Sequence, residues 1–328
     1  MGKIYKSIAE LVGNTPLVEL TNYEKEQDLK AKVFGKLEYF NPSGSIKDRA
    51  ALNMILKAER EGKLKPGYTI VENTSGNTGI GLAAFAAARG YKLKLILEPG
   101  QSVERQQIFK AYGVDVKLYT DFPEFNEAIA NGTFNLEFFF DMIQRYADSQ
   151  PNHFFINQLI NDANPDAHYH TTGPEIWNDT DGKVDILVGL CGTGGTISGT
   201  GKYLKEKNPD LKIYVAQPSD DSFKTPENPN ANTIDGVVTF SRSPESVVTD
   251  FVKSIPYEEC FDIKAEDAYA TGRSLLKSDG IFLGQSAAAA LRAATILAKR
   301  EENAGKNIVV MMADNGLKYL STNMYKED

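Results

Sequence analysis

Cysteine is scarce in this sequence: Cys191 and Cys260 are the two among 328 residues. They form no even-numbered framework and no CxxC pair, which excludes a disulfide scaffold and fits a reducing cytosol. Long apolar runs are also missing. No stretch approaches the roughly 20 apolar residues of a membrane helix, and residues 1–16 hold no uninterrupted apolar core of a secretory signal, so a cytoplasmic location and no membrane partner are expected. There is no basic excess: 36 Lys and Arg stand against 44 Asp and Glu, a formal charge of -8, which leaves no global positive field for nucleic acid. Histidine is limited to His153, His168 and His170. The last two, at i and i+2, point away from each other on a helix, and none joins the distant cysteines in a zinc set, so no metal site is expected.

What is present is ordinary enzyme material. An apolar content of 41% and a mean hydropathy of -0.34 allow a large core, and the length suggests about two domains. Short β-branched or apolar runs alternate with longer amphipathic ones: Lys32–Leu37, a helix Ile46–Glu61, Thr69–Glu72, a helix Thr78–Arg89, then Leu93–Leu97. The rhythm resumes with Val184–Leu190, a glycine-rich turn, a helix to about Lys207 and Leu211–Ala216. This predicts an α/β fold with mostly parallel sheets and a ligand crevice between two halves. Asp121–Ser149, rich in Phe, Asn and Glu with a turn signal at Asn131-Gly132, reads as a surface helical excursion, and proline-rich Pro218–Pro229 as a loop.

Three segments carry chemistry. Asn41–Arg49 is a turn-forming run leading into a helix, and it places Lys47 in the first helical turn, where positive partial charge helps to lower an amine pKa. Asn73–Gly79 links a strand to a helix, so its backbone N–H groups, hydroxyls and amides suit a carboxylate. Gly192–Thr196 lies between strand Val184–Leu190 and its following helix and suits a phosphate. It lacks the Lys-Ser/Thr ending of a P-loop and is not GxGxxG, so a monophosphate is the better guest.

These segments, together with Gly13–Pro16, Lys36–Pro42, Ser102–Arg105, Thr172–Trp177 and Tyr319–Thr322, resemble in order the cysteine synthase (O-acetylserine sulfhydrylase) family of pyridoxal 5'-phosphate (PLP) enzymes, with cystathionine β-synthase as a cousin. The resemblance implies the two-domain fold of the tryptophan synthase β-like, fold type II enzymes. Residues 41–152 would be a smaller mobile domain, and 1–40 with 153–328 a larger phosphate-binding one. It implies Lys47 as the Schiff-base lysine and proton shuttle, Asn77 at the ring hydroxyl, and Gly192, Thr193, Gly194, Gly195 and Thr196 around the phosphate. Thr74, Ser75, Thr78 and Gln158 would grip the substrate carboxylate. The implied reaction is β-replacement through an α-aminoacrylate, usually in a homodimer, with O-acetyl-L-serine and sulfide giving L-cysteine and acetate.

Three segments depart from the family pattern. Ile234–Val238 carries Asp235 near the expected substrate β-carbon. Asp before Gly is also common turn chemistry, but a functional Asp235 would serve as acid or base and favour an enzyme that consumes L-cysteine, with water or a second thiol as nucleophile and sulfide released. At Ala313–Gly316 the usual serine beside glycine is replaced, and Asn315 is the expected partner of the pyridine nitrogen. Gly284–Ala288 loses a hydroxyl but keeps Ser286. Cys191 reads as a small strand-end residue, not a nucleophile. A catalytically silent amino-acid sensor or docking protein is the reading from another class, and retention of Lys47 argues against it.

Overall fold

The computed structural model describes residues 4–98 and 103–326, so Ser102 of the Ser102–Arg105 motif lies outside the described residues. Ten strands lie among the described residues: β1 (Leu17–Glu19), β2 (Lys32–Leu37), β3 (Thr69–Asn73), β4 (Lys92–Leu97), β5 (Asp115–Leu118), β6 (His153–Phe155), β7 (Ile186–Leu190), β8 (Lys212–Pro218), β9 (Glu259–Ile263) and β10 (Asn307–Met312). They form a six-stranded sheet in the order β1-β2-β10-β7-β8-β9 and a four-stranded sheet in the order β5-β4-β3-β6. All pairings are parallel except β1 with β2. Central strands such as Ile186–Leu190 and, after its first residue, Asn307–Met312 are apolar because helices cover both faces. This is the α/β fold of two mostly parallel, helix-flanked sheets. His153–Phe155, assigned by the expected boundary to the larger unit, instead pairs with β3 and completes the smaller sheet.

The helices flanking the site start within a residue of the expected positions, at Lys47–Arg60 and Asn77–Arg89. Both bury apolar faces, Met54, Ile55, Leu82 and Phe85 among them, over the smaller sheet. The Asp121–Ser149 segment does more than ride on the surface. Its helices Pro123–Ala130 and Leu136–Asp148 press Phe122, Phe139, Met142 and Ile143 onto Val71, Ile96 and Phe155 of the smaller sheet. Edge-on rings such as Tyr119 on Phe139, 5.0 Å between centroids, fill that layer.

One buried charge cluster ties distant segments to the start of the Lys47 helix. Arg49, 2% exposed, donates to both oxygens of the fully buried Glu38 (2.7 and 2.9 Å) and to both oxygens of Glu175 (2.7 Å each). Thr15 donates to Glu38 at 2.6 Å, and buried Lys36 meets Glu175 at 3.0 Å and the Thr15 carbonyl at 2.6 Å. Burial alone would raise the Glu175 carboxyl, but the hydrogen bonds and charge of Arg49 outweigh it and hold the group at about 2.

Arg49→Met leaves Glu38 buried without its charge partner, and urea unfolding should show a loss of about 3–5 kcal/mol. Acid titration should show a matching trend. Glu175 is depressed below its ordinary 4.5, so its stabilising contribution is present above that value and is lost as pH falls towards 2. The acid limb of a stability-versus-pH curve should be shallower in Arg49→Met than in the parent protein.

Candidate active site

The carboxyl ends of β3, β7 and β10 open into one crevice, the place where open α/β sheets bind ligands. A cavity of about 310 Å³ lies there, lined by Lys47, Thr74–Thr78, Gln158, Gly192, Thr193, Thr196, Asp235 and Ser286 among others. The three motif segments, far apart in sequence, therefore share one wall system. Lys47 is the first residue of its helix, reached through a short loop held by an Ile46 N–H donating to the Ala313 carbonyl at 2.8 Å. Burial lowers its amine pKa, opposed in part by Cys191 and Asp314. Desolvation thus works in the same direction as the helix start to keep the amine available.

Two helix N-termini with glycine at the cap position face the cavity, and at one of them the Gly195 N–H meets Thr193 Oγ1 at 3.3 Å. The helix Gly195–Lys207 begins after Gly194, whose φ of +86° suits glycine, and the helix Asn77–Arg89 begins after Gly76. The first-turn N–H groups and the dipole make each a seat for an anion. Gly192 is glycine for another reason: a Cβ there would stand 2.6 Å from the Gly236 carbonyl oxygen. Hydrogen bonds join the two seats. Thr78 donates to the Gln158 side chain at 2.7 Å; Asn164 donates to the Gln158 carbonyl at 2.8 Å and to the Thr193 hydroxyl at 2.9 Å. Beneath them the fully buried Glu72 accepts from the Gln158 N–H at 2.9 Å, its carboxyl pushed up by burial to about 8. His168 contacts Thr196 at 3.2 Å and Thr172 at 2.9 Å, and burial holds its pKa well below the ordinary range.

Asp235 also lines the cavity. Its carboxylate, one third exposed, accepts from Thr233 at 2.9 Å and faces an Arg105 nitrogen at 3.4 Å, while the Arg105 guanidinium lies 5.7 Å over the Tyr319 ring. Gly236, with φ of +78°, makes the turn that Asp-Gly suggests, so turn and cavity placement coexist. Asn315 is not among the residues that line the cavity, whose wall carries Ser286; its Oδ1 accepts from the Leu317 N–H at 3.1 Å and caps a short 3-10 helix. Cys191 is buried with its thiol pushed up to about 12 by desolvation, the state of a packing residue. Arg105, Asp314, Lys318, Glu72 and Asn164 were not singled out by motif reasoning. Arg105 lies in the Ser102–Arg105 motif, Asp314 in the Ala313–Gly316 segment and Glu72 at the end of a strand run, but the role of each in the site comes from tertiary contacts.

Residues 8–314 match the model of the pyridoxal-phosphate dependent enzyme family. The chain is 42% identical to a probable cysteine synthase of Bacillus subtilis, over 99% of each chain. It is 38% identical to cysteine synthase 3 of Caenorhabditis elegans, over 97% of this chain and 89% of that one. Two solved structures superpose with a TM-score of 0.82. One is a hydrogen sulfide-producing enzyme from Fusobacterium nucleatum, 34% identical with 98% and 99% coverage; the other is O-acetyl serine sulfhydrylase isoform 3 from Entamoeba histolytica, 37% identical with 99% and 93% coverage. The chain belongs to the pyridoxal-phosphate dependent enzyme family, and its cofactor is PLP. The cavity fits that group: an aldehyde needs the desolvated amine of Lys47, and a phosphate needs a glycine-capped helix start.

Gly194→Ala tests the phosphate seat. The new Cβ would stand 2.7 Å from the Val252 backbone nitrogen at a φ that costs alanine about 1–2 kcal/mol. Titration of the apo protein with PLP, followed by absorbance, should show affinity lowered by about tenfold or more. Unchanged affinity would mean that the phosphate sits elsewhere.

Proposed function

We propose that this member of the pyridoxal-phosphate dependent enzymes catalyses β-replacement in sulfur amino-acid metabolism, converting O-acetyl-L-serine and sulfide into L-cysteine and acetate, with a homodimer as its working form. The observation that carries the reading is the placement of the Lys47 amine in one cavity with two glycine-capped helix N-termini. A cofactor phosphate and a substrate carboxylate need such a pair of seats.

Bound PLP supplies the electron sink that lets a proton leave Cα and a substituent leave Cβ. Lys47 anchors it and then moves the Cα proton through its Nζ. The Gly192–Thr196 loop holds the phosphate, and Asn77 and Ser286 supply polar groups to the ring. Thr74, Ser75, Thr78 and Gln158 take the substrate carboxylate. That anion is taken by the loop after β3 and a residue just after β6, both carried by the four-stranded sheet, and its arrival on that unit is the step at which the unit closes and excludes water. Residues 41–152 form the bulk of the moving part in this reading.

A second reading is favoured by one specific feature. Asp235 brings a carboxylate to the cavity wall, where its Oδ2 can take a proton from an incoming water or thiol. The same machinery then runs sulfur outward, with L-cysteine and water giving L-serine and hydrogen sulfide, or L-cysteine and a second thiol giving a thioether and hydrogen sulfide.

Lys47→Ala should abolish turnover of either substrate set; retained turnover would overturn the assignment. Incubation with L-cysteine alone, quantifying sulfide, L-serine and pyruvate together, separates the two directions. Sulfide with matching serine supports the outward reading, in which Asp235→Asn should keep PLP bound yet lower serine formation by about a hundredfold. Absence of sulfide, with turnover of O-acetyl-L-serine and sulfide in parallel, supports the cysteine-forming direction.

A further inference from the structure

Asn77 lines the cavity between two charges of opposite sign. Its Nδ2 donates to Asp314 Oδ2 at 2.7 Å, and its Oδ1 accepts from Lys318 Nζ at 2.8 Å. Asp314 is fully buried; the same Oδ2 also accepts from the Tyr319 hydroxyl at 2.7 Å, and its Oδ1 is buried without a hydrogen-bond partner. Lys318 Nζ also reaches the Ser43 and Gly44 carbonyls, both at 3.3 Å, in the loop that leads to Lys47.

A carboxamide has two nearly isosteric orientations, and its surroundings choose between them. Here the choice follows from charge. A carboxylate only accepts and an ammonium only donates, so the reverse orientation would set the amide carbonyl against Asp314 and the amide hydrogens against Lys318. Two favourable charge-assisted bonds would become two repulsive contacts, in a buried setting where such contacts are strongest. The amide nitrogen carries two hydrogens, and one is used on Asp314. We propose that Asp314 and Lys318 are positioning residues that hold Asn77 with its second amide N–H, rather than its carbonyl, available to the oxygen on the cofactor ring. A donor at that place favours the ionised ring oxygen; a carbonyl would favour the protonated one. This inference rests on the reading above that Asn77 meets the ring hydroxyl.

The test is a double-mutant cycle on PLP binding, read by titration of apo protein and by the visible spectrum of the bound cofactor across pH. Asn77→Ala and Lys318→Met should each weaken PLP binding by about tenfold, the scale of one charge-assisted hydrogen bond. Each should also raise the apparent pKa at which the bound cofactor's spectrum changes, because the ionised ring oxygen loses its donor. Lys318→Met added to Asn77→Ala should cause no further loss, since Lys318 acts through Asn77. Lys318→Arg, which still offers a donor to Oδ1, should restore both affinity and spectrum. Fully additive losses would overturn the positioning role and leave Lys318 as a structural tie to the 43–44 loop. An Asn77→Ala variant with unchanged PLP affinity would overturn both the positioning role and the placement of Asn77 at the ring. Thermal unfolding of the apo variants checks that each is folded before binding is compared.

Discussion

The bidentate grip of Arg49 on Glu38 and Glu175 is the constraint from which the site is built. Arg49 stands two residues beyond Lys47 in the first turn of the same helix. Its guanidinium is locked to the end of β2 through Glu38 and to the Gly173–Asp179 helix through Glu175. A planar fork satisfied on both sides permits one helix position and one azimuth. Buried ion pairs often contribute little net stability compared with apolar replacements, yet misplacing one is costly. Such a cluster suits registration, and here it fixes the direction in which the Lys47 amine enters the cavity.

The anion seats show a different economy in a chain of formal charge -8. At the seat proposed for the phosphate, dipole and backbone N–H groups stand where a cationic side chain could, and burial holds the pKa of the nearby His168 well below its ordinary range. The link from Thr78 through Gln158 and Asn164 to Thr193 means that the two seats are not independently placed. A shift of the Asn73–Gly79 loop is felt at the Gly192–Thr196 loop through three hydrogen bonds. Sites of this construction are preorganised by hydrogen bonds that are satisfied before any ligand arrives.

Legibility in the sequence followed locality. Strand–turn–helix runs such as Thr69–Arg89 and Val184–Lys207 carry their own periodicity and turn chemistry, so both elements and loops could be read from them. Asn315 could not. Its short amide lies next to glycine in a segment that approaches the site, but the chain turns there and the amide oxygen caps its own backbone two residues on, a local bond that the motif does not announce. Asp314 and Lys318 were hidden for the converse reason, since their partner Asn77 lies 237 and 241 positions away. The Asp121–Ser149 segment shows the same limit in packing. Its aromatic residues read as a surface excursion until the sheet they cover is known.

The 234–238 loop shows how a fixed frame leaves one side chain to select chemistry. Its position is set by backbone contacts: the Asp235 N–H donates to Gln285 at 3.0 Å, the Val238 N–H donates to the Cys191 carbonyl at 3.0 Å, and the Gly236 carbonyl sits against Gly192 where no side chain fits. None of these contacts uses the Asp235 carboxylate, which meets Thr233 and Arg105 instead. The loop therefore does not need an acidic residue to fold against the phosphate loop. In the reading proposed for Asp235, a carboxylate placed on a framework that does not require it, at the cavity and beside a guanidinium, bears on the reaction more than on the fold. This separates the direction of sulfur transfer, which a single side chain can bias, from the PLP architecture, which many residues hold in common.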